Sequence, residues 1–505
     1  MGPATLMLDQ HPTSEPPRKE IDCSTCTSRY FIVKVLKCTP KACLDSVPQR
    51  IFTWLDVSIP LHEFVAPTQL LMDSITGMLH SIQVKALISA LLILALQAAA
   101  RAEYVASPEP DWPQFRGPER SGISPETNLL QVWPENGPPR LWCATNLGTG
   151  YASPIVAGGR IFITGDAGDD LHLFALDLSG KLLWKATNGA AWKSPYPGAR
   201  ASCAFSSDRV YHMNAHGQAA CFDAATGSLL WKSDIVSQFD SRKPTWGISE
   251  CLLVDENRVI VTPGGHKASM AALDAHTGRP LWTTEPLEAA SGKPEGPAYA
   301  PPILIRVFGR KHIVGVTARH FFGVNAETGK LEWKLNFPTR HEVIGSSPVL
   351  CGDGIFVTGP DNEDGRFLRF VRCDDGISVQ QAWTATLDTC HGGIVPLDGF
   401  LYGSWYRSFN GWGCLDARDG SIRWRDRQLA MGSAIYADGR LYCLTQKGIM
   451  ALIKPNPEKL EILSQFVFAT VHQNNVWTHP VITGGKLYLR DQQALYCFDI
   501  RRKRP

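Results

Sequence analysis

An all-β fold, an eight-bladed β-propeller of four-stranded antiparallel blades, is what this sequence predicts. Three observations carry the prediction: a short phrase that recurs along the chain, a second series of tight turns interleaved with it, and a composition rich in turn and aromatic residues. The 505 residues hold 44 Gly, 35 Pro and 15 Trp, a usage suited to short strands joined by tight turns. The chain is too long for one ordinary core, and its 44% apolar content suffices to fold a repeat array. Lys plus Arg number 50 against 48 Asp plus Glu, a formal charge of +2. That balance leaves no electrostatic footprint for nucleic acid or an anionic membrane surface.

From the N-terminus, the first notable segment is Ala86 to Ala100, ALISALLILALQAAA, a run of 15 residues. It is shorter than the roughly 20 residues a spanning helix needs. With Lys85 as positive flank, an apolar stretch to Leu96 and the small-x-small site Ala100-Arg101-Ala102, it reads as a signal peptide. The mature chain then begins at Glu103, is exported to the periplasm or beyond, and keeps no transmembrane anchor. A signal peptide belongs at the start, so residues 1–77 read as a mis-assigned start or a disordered leader, residues 78–102 as the signal peptide, and 103–138 as a lead-in. Cys23-x-x-Cys26 with Cys38 and Cys43 has a faint zinc spacing. No histidine lies nearby and the second pair is too wide for a knuckle, so no metal is assigned.

The repeat begins beyond the lead-in. ALDLSGKLLWK (175–185), CFDAATGSLLWK (221–232), ALDAHTGRPLWT (272–283), GVNAETGKLEWK (323–334) and CLDARDGSIRWR (414–425) are one sentence copied five times. Weaker copies lie at Cys373 to Trp383 and from Ala451, and the chain's last copy stops at Asp499. Each is a strand ending in Asp, a turn with Gly where φ must be positive, then a strand carrying Trp. The turn positions are Asp177, Asp223 with Gly227, Asp274 with Gly278, Gly329, Asp416 with Gly420, and Asp499. Ahead of each copy lies another turn, from Gly158-Gly159 to Gly484-Gly485, so every unit holds two hairpins. Four antiparallel strands repeating at this spacing describe a propeller blade. Pro139 to Thr145 looks like a fourth strand lacking its first three, whereas the last unit lacks its fourth. The two fragments are expected to complete one blade and remove the ring's open edge. The propeller therefore spans 139–500, followed by a basic tail, 501–505.

The Ala-x-Asp-x-x-Thr-Gly-x-x-x-Trp sentence resembles the PQQ-like repeat of eight-bladed quinoprotein-type propellers. Asp111 to Pro118 (DWPQFRGP) resembles the lead-in of exported bacterial members often left without an assigned activity. The resemblance implies that Trp142, Trp184, Trp231, Trp282, Trp333, Trp383 and Trp424 dock between neighbouring blades; blade seven lacks its Trp.

The segments leading into the innermost strands should converge on one funnel face. They contribute Tyr151, Arg200, Trp246, Glu250, Tyr299, His391, Trp477 and His479, a mixture suited to a planar or polar ligand. Trp477 and His479, two residues apart on extended chain, should face the same side. The loops between second and third strands are expected to add Asp166, His216, His266, His320, Asp361, Tyr406, Arg407 and Asp491. The acidic run from Asp361 fails the EF-hand pattern and reads as a solvated loop. Cys390 beside His391 could pair a thiol with a base, but on a strand the two would point to opposite faces. Most other cysteines read as small buried residues.

These features point to an exported propeller that binds a small molecule or an envelope protein through its funnel, without catalytic residues that can be named. Its architecture resembles the scaffold propeller of the outer-membrane protein assembly machinery. The alternative is a PQQ-dependent quinoprotein dehydrogenase oxidising an alcohol or sugar, including polymer-alcohol types. In that family the cofactor site uses a vicinal disulfide, a calcium held by Glu, Asn and Asp, a catalytic Asp and a stacking Trp. Glu250 and Trp246 could stand for a calcium ligand and the stacking ring, but this chain has no Cys-Cys pair. A glycan hydrolase would need two funnel carboxylates, for which Glu250 and Glu342 are the candidates.

Overall fold

The computed structural model describes residues 111–288, 292–361, 363–374, 376–468 and 475–502. The leader, the zinc-like spacing, the signal peptide, residues 103–110 of the lead-in and most of the basic tail lie outside them. No helix among the described residues is long and apolar enough to cross a membrane.

Eight four-stranded antiparallel sheets follow one another along the chain. Blades one to seven occupy Ile155–Ala190, Ala204–Asp234, Leu253–Thr283, Ile303–Asn336, Val349–Ala385, Val395–Asp426 and Gly432–Val467. Blade eight takes three strands from Val481–Asp499 and its fourth from Arg140–Ala144. That fourth strand runs antiparallel to Ala494–Asp499, pairing Trp142 with Cys497 and Ala144 with Leu495, as the two incomplete fragments predict.

The middle strands are buried along almost their whole length, as in IFIT (161–164) and AACF (219–222), because a neighbouring blade covers each face. Apolar clusters fill the gaps between blades. Ile155, Phe162 and Leu173 of blade one meet Val210, Ala220 and Phe222 of blade two. Ile260 and Met270 of blade three meet Ile313 and Phe322 of blade four in the same way. Cys203, Cys221, Cys251, Cys414, Cys443 and Cys497 are buried, whereas Cys143 and Cys373 are exposed.

The repeat sentence explains how the blades lock. Asp223 accepts hydrogen bonds from the Ala225 and Thr226 amides and the Thr226 hydroxyl, which tightens the turn. The extra residue beyond it makes a bulge, seen as the register shift between Cys221 and Phe222. Gly227, at φ +74°, then lies flat under the ring of Trp184 from the blade before. Gly180, Gly278, Gly329 and Gly420 meet Trp142, Trp231, Trp282 and Trp383 in the same way. Indole N–H groups complete the joint: Trp184 donates to Ala224 O, Trp231 to Ala275 O, Trp383 to Ala417 O and Trp424 to Asn456 O. Trp282 keeps the ring contact, but its Nε1 finds no partner among the described residues, and Trp333 departs from the joint altogether. Its indole donates to His312 Nε2 of its own blade, and Gly376 of the next blade lies against Glu332 instead.

Gly227→Ala is expected to cost about 2 kcal/mol, since its Cβ would lie 2.6 Å from the Trp184 ring as well as in left-handed backbone. Gly439→Ala, at φ +78° with nothing within 4 Å, should cost only about 1 kcal/mol for the backbone alone. Chemical denaturation of the two variants measures the difference, which isolates the tryptophan contact.

The lead-in does more than precede the ring. Trp112 exchanges hydrogen bonds with Val156 of blade one, and Pro113 O accepts from Phe205 N of blade two. Arg120 donates to Cys251 O, Leu252 O and Pro302 O, ahead of blades three and four. Arg116 reaches Ile394 O ahead of blade six. Ser124 bonds Tyr436 O of blade seven and Ile482 O of blade eight. A single segment thus crosses the axis of the ring and ties the inner edges of every blade except the fifth.

Candidate functional site

On the other side of this segment the funnel opens as a cavity of about 300 Å³. Because a blade's innermost strand begins at the axis, the residues just before it are delivered to the cavity wall. Tyr151, Arg200, Trp246, Tyr299, His391, Trp477 and His479 all line it, as do Asp361, Tyr406 and Arg407 from loops between second and third strands. Asp166, His216, His266, His320 and Asp491 do not; their loops stand farther from the axis. His216 packs against Trp192, and His320 bonds Glu295 through Nδ1 at 2.6 Å.

The aromatic side chains form two clusters. Trp477 meets His391 edge-on at 4.7 Å and lies 5.1 Å from both Tyr151 and Tyr196. Trp246 lies 6.1 Å from Tyr299 and 6.4 Å from His341. Arg200 joins the clusters, donating to Trp246 O and Tyr196 O while its guanidinium lies 5.1 Å over Trp192. Burial lowers its pKa to about 10, so it remains a cation.

Trp477 and His479 face the cavity together, as their spacing requires. His479 also bonds a loop carbonyl, His391 O, through Nε2 at 2.8 Å, and its amide donates to Ser153 Oγ. Desolvation, with the nearby Arg116 cation, depresses its pKa to about 3; burial alone lowers His391 to about 4. Both imidazoles are neutral at neutral pH. Since His479 Nε2 faces a carbonyl, it carries the proton, and Nδ1 is left as an acceptor.

Cys390 and His391 both line the cavity, against the strand-alternation expectation, because they sit in a bend before the strand begins. Burial pushes the Cys390 thiol up to about 12, and the neutral His391 supplies no cation to draw it down. This electrostatic setting opposes a thiolate nucleophile.

Glu250 is a correction to the sequence reading. It is 2% exposed, lies outside the cavity, and accepts from Thr262 N and Oγ1. Extended chain turns successive residues to opposite sides, and Ser249 and Cys251 are the neighbours that reach the cavity. Desolvation raises the Glu250 pKa to about 8, the Thr262 bonds and Arg120 opposing it. With the folded pKa above the unfolded one, the folded state holds the extra proton between about pH 4.5 and 8, so stability falls as pH rises through that window. Glu250→Gln is expected to flatten the fall, by an amount on the order of a few kcal/mol at its upper end. Urea titrations from pH 5 to 8.5 read it.

Glu342 is likewise not a cavity residue, being paired with Arg242 at 2.6 Å and Arg319 at 2.9 Å. The paired-carboxylate arrangement of a glycan hydrolase is therefore not built here. Asp361, expected in a solvated loop, has a nearly buried side chain 3.1 Å from Arg407 Nε. It is the only carboxylate among the described cavity residues, and those residues hold no cluster able to bind a metal. A calcium-bound PQQ accordingly does not fit the donor set.

Sequence reasoning missed Phe115 and Arg116, whereas Ser202, in the segment entering blade two, lines the cavity beside Arg200. Phe115 and Arg116 come from the lead-in, and Arg116 Nη1 occupies the space over Gly393 that a Cβ would fill, beside His479. Two arginines in the lead-in carry no repeat signal. Their clue was the local phrase PQFRGPER itself, an arginine next to Gly-Pro that could turn back inward. A second cleft, of about 910 Å³, lies at the opposite end, between the lead-in and blades four and five.

A family model described as "Outer membrane protein assembly factor BamB" matches residues 172–426. The chain is 24% identical over 302 residues to the protein of that name from Yersinia pestis, covering 56% of this chain and 70% of the other. It is 30% identical over 217 residues to the one from Kangiella koreensis, covering 42% and 49%. The solved structure of BamB from Moraxella catarrhalis superposes with a TM-score of 0.51 at 11% identity, over 71% of this chain and 99% of that one, a likeness of fold.

Proposed function

The chain belongs to the family described as outer membrane protein assembly factor BamB, and from that premise we propose that it is an exported propeller that docks envelope proteins on its funnel face. One observation carries the reading: the lead-in ties seven blades together at one end of the axis, while at the other the loops present an aromatic and basic mouth. Tyr196 is 51% exposed at that rim, with Arg407, Arg242 and His341 beside or near it. Exposed Tyr, Trp and Arg around a recess are the side chains that anchor protein partners. The named relatives are assembly factors for outer-membrane proteins, which supports an envelope partner and a periplasmic location for this chain.

A photo-crosslinking residue at Tyr196 or Arg407, in the full chain expressed in its own envelope, tests this. Crosslinks to an outer-membrane protein or its assembly components are expected from these positions and not from the exposed Leu350 on the innermost strand of blade five. Crosslinks confined to the latter position would overturn the proposal. Trp246→Ala and Trp477→Ala should reduce the rim crosslinks severalfold while leaving thermal stability little changed; a loss of about 3–5 kcal/mol with crosslinking intact would instead make them packing residues. Turnover of alcohols with added PQQ and calcium, followed by dye reduction, would favour the dehydrogenase alternative.

A further inference from the structure

Five polar atoms lining the cavity are buried and have no hydrogen-bond partner among the described residues: Arg116 Nη1, Ser202 Oγ, Asp361 Oδ1, Trp477 Nε1 and His479 Nδ1. Asp361 Oδ1 is held in its ion pair with Arg407, which leaves the other four. Arg116 is 3% exposed, Ser202 2% and His479 6%. A buried polar atom normally finds a partner, so four around one recess mark a position where something else supplies it. Arg116 is the costliest. Its Nε and Nη2 donate to Arg120 O, Ser121 O and Ile394 O, all neutral carbonyls, and among the described residues no carboxylate offsets its charge. Arginines 116, 200 and 407 line the cavity against the single carboxylate of Asp361, which Arg407 already engages. The remaining charge is positive, and the neutral His391 and His479 add none.

We propose that the cavity is a binding site for a small planar aromatic carboxylate, its ring between the Trp477 and Trp246 clusters and its carboxylate on Arg116 Nη1 and Trp477 Nε1. The aromatic walls supply flat apolar surface, and the unpartnered Arg116 Nη1 amino group and Trp477 indole N–H suit two carboxylate oxygens. His479 Nδ1 accepts from a hydroxyl on the ring or from a water at its edge. A cavity of about 300 Å³ lies at the lower end of the range small-molecule sites occupy, which limits the ligand to one or two fused rings. The inference rests on the funnel being the binding face, and it adds the chemistry of what the funnel's centre takes.

Calorimetry with the purified full chain decides it, using 2-naphthoate, its uncharged isostere 2-naphthamide, and inorganic phosphate. Naphthoate should bind, with naphthamide and phosphate each at least about tenfold weaker, the worth of one charge-assisted hydrogen bond in a desolvated site. Arg116→Gln should abolish the preference for naphthoate over naphthamide. Because Arg116 also anchors the lead-in, Trp477→Phe provides a second variant that keeps one aromatic ring and removes the N–H with its pyrrole ring; it should weaken naphthoate severalfold more than it weakens naphthamide. Equal affinity for naphthoate and naphthamide, phosphate binding as tightly as naphthoate, no naphthoate binding, or a Trp477→Phe variant that weakens both naphthalenes equally or neither each overturns the proposal. Rim crosslinks that persist when naphthoate fails to bind sink this inference alone, whereas naphthoate binding without rim crosslinks sinks the docking reading alone.

Discussion

Deletion of residues 139–146 is expected to destabilise the whole ring by more than about 5 kcal/mol, because it removes a strand and a buried joint together. The strand Arg140–Ala144 is the outer edge of blade eight, and Trp142 on it stacks over Gly180 and donates to Leu178 O of blade one. Its loss leaves Ala494–Asp499 as an unpaired edge and uncovers the seam between the first and last blades. Arg490 crosses that same seam, fully buried, donating to Ala152 O, Thr164 O and Gly148 O. Opening the seam would admit water to a cation that the carbonyls hold with Asp166 and Asp491 nearby. For a ring of this size the melting temperature should fall by about 6 °C or more, read by calorimetry. An unchanged melting temperature would mean that the pairing of Trp142 with Cys497 contributes nothing to closure.

Arg120→Met is expected to cost about 3–5 kcal/mol, although the residue lies outside the repeat. Its guanidinium is 4% exposed and gathers Cys251 O, Leu252 O and Pro302 O, with Gln114 Oε1 on its own segment. Methionine fills much of the volume and supplies no donor, so three carbonyls at the inner edges of blades three and four are stranded in a dry site. Glu250 then loses the nearby cation that opposes its desolvation, and its pKa should rise further. Limited proteolysis offers the sharper readout. Cleavage between Phe115 and Ile123 should accelerate in Arg120→Met, and a wild-type pattern with wild-type stability would show that the lead-in is held by its other contacts.

The repeat made the ring legible because each blade repeats the same local conflict and solves it the same way. Asp223, Gly227 and Trp231 each serve a distinct need: a cap for turn amides, left-handed backbone, and a flat ring for the next blade's turn. Recurrence of all three at one spacing leaves little else that the chain could form. The closure of blade eight was legible for a related reason, since a lone fourth strand and a blade lacking one are complementary defects. The cavity wall was legible in part. Tyr151, Trp246, Tyr299 and Trp477 reach it because a residue before an innermost strand has nowhere else to go, but facing was not deducible residue by residue. Glu250 points away from the cavity and its neighbours point in, a shift of a single position. Cys390 and His391 escaped the alternation rule because they precede the strand. The floor was illegible: Arg116 touches Ile394 across 278 positions of sequence, and no local pattern announces a contact at that range.

The pairing of Arg140 with Phe498 also imposes an order in time. A chain that emerges from its N-terminus presents the closing strand before blade one and its partner only after blades one to seven, so throughout that interval the growing ring is an open arc with two raw edges. Pairings between distant parts of a chain form slowly, and exposed edges invite association with other chains while they wait. The interval before the final strand arrives is therefore when this molecule is most vulnerable. Slow synthesis near residues 486–499 would lengthen it, and shielding by a holding chaperone would matter most there.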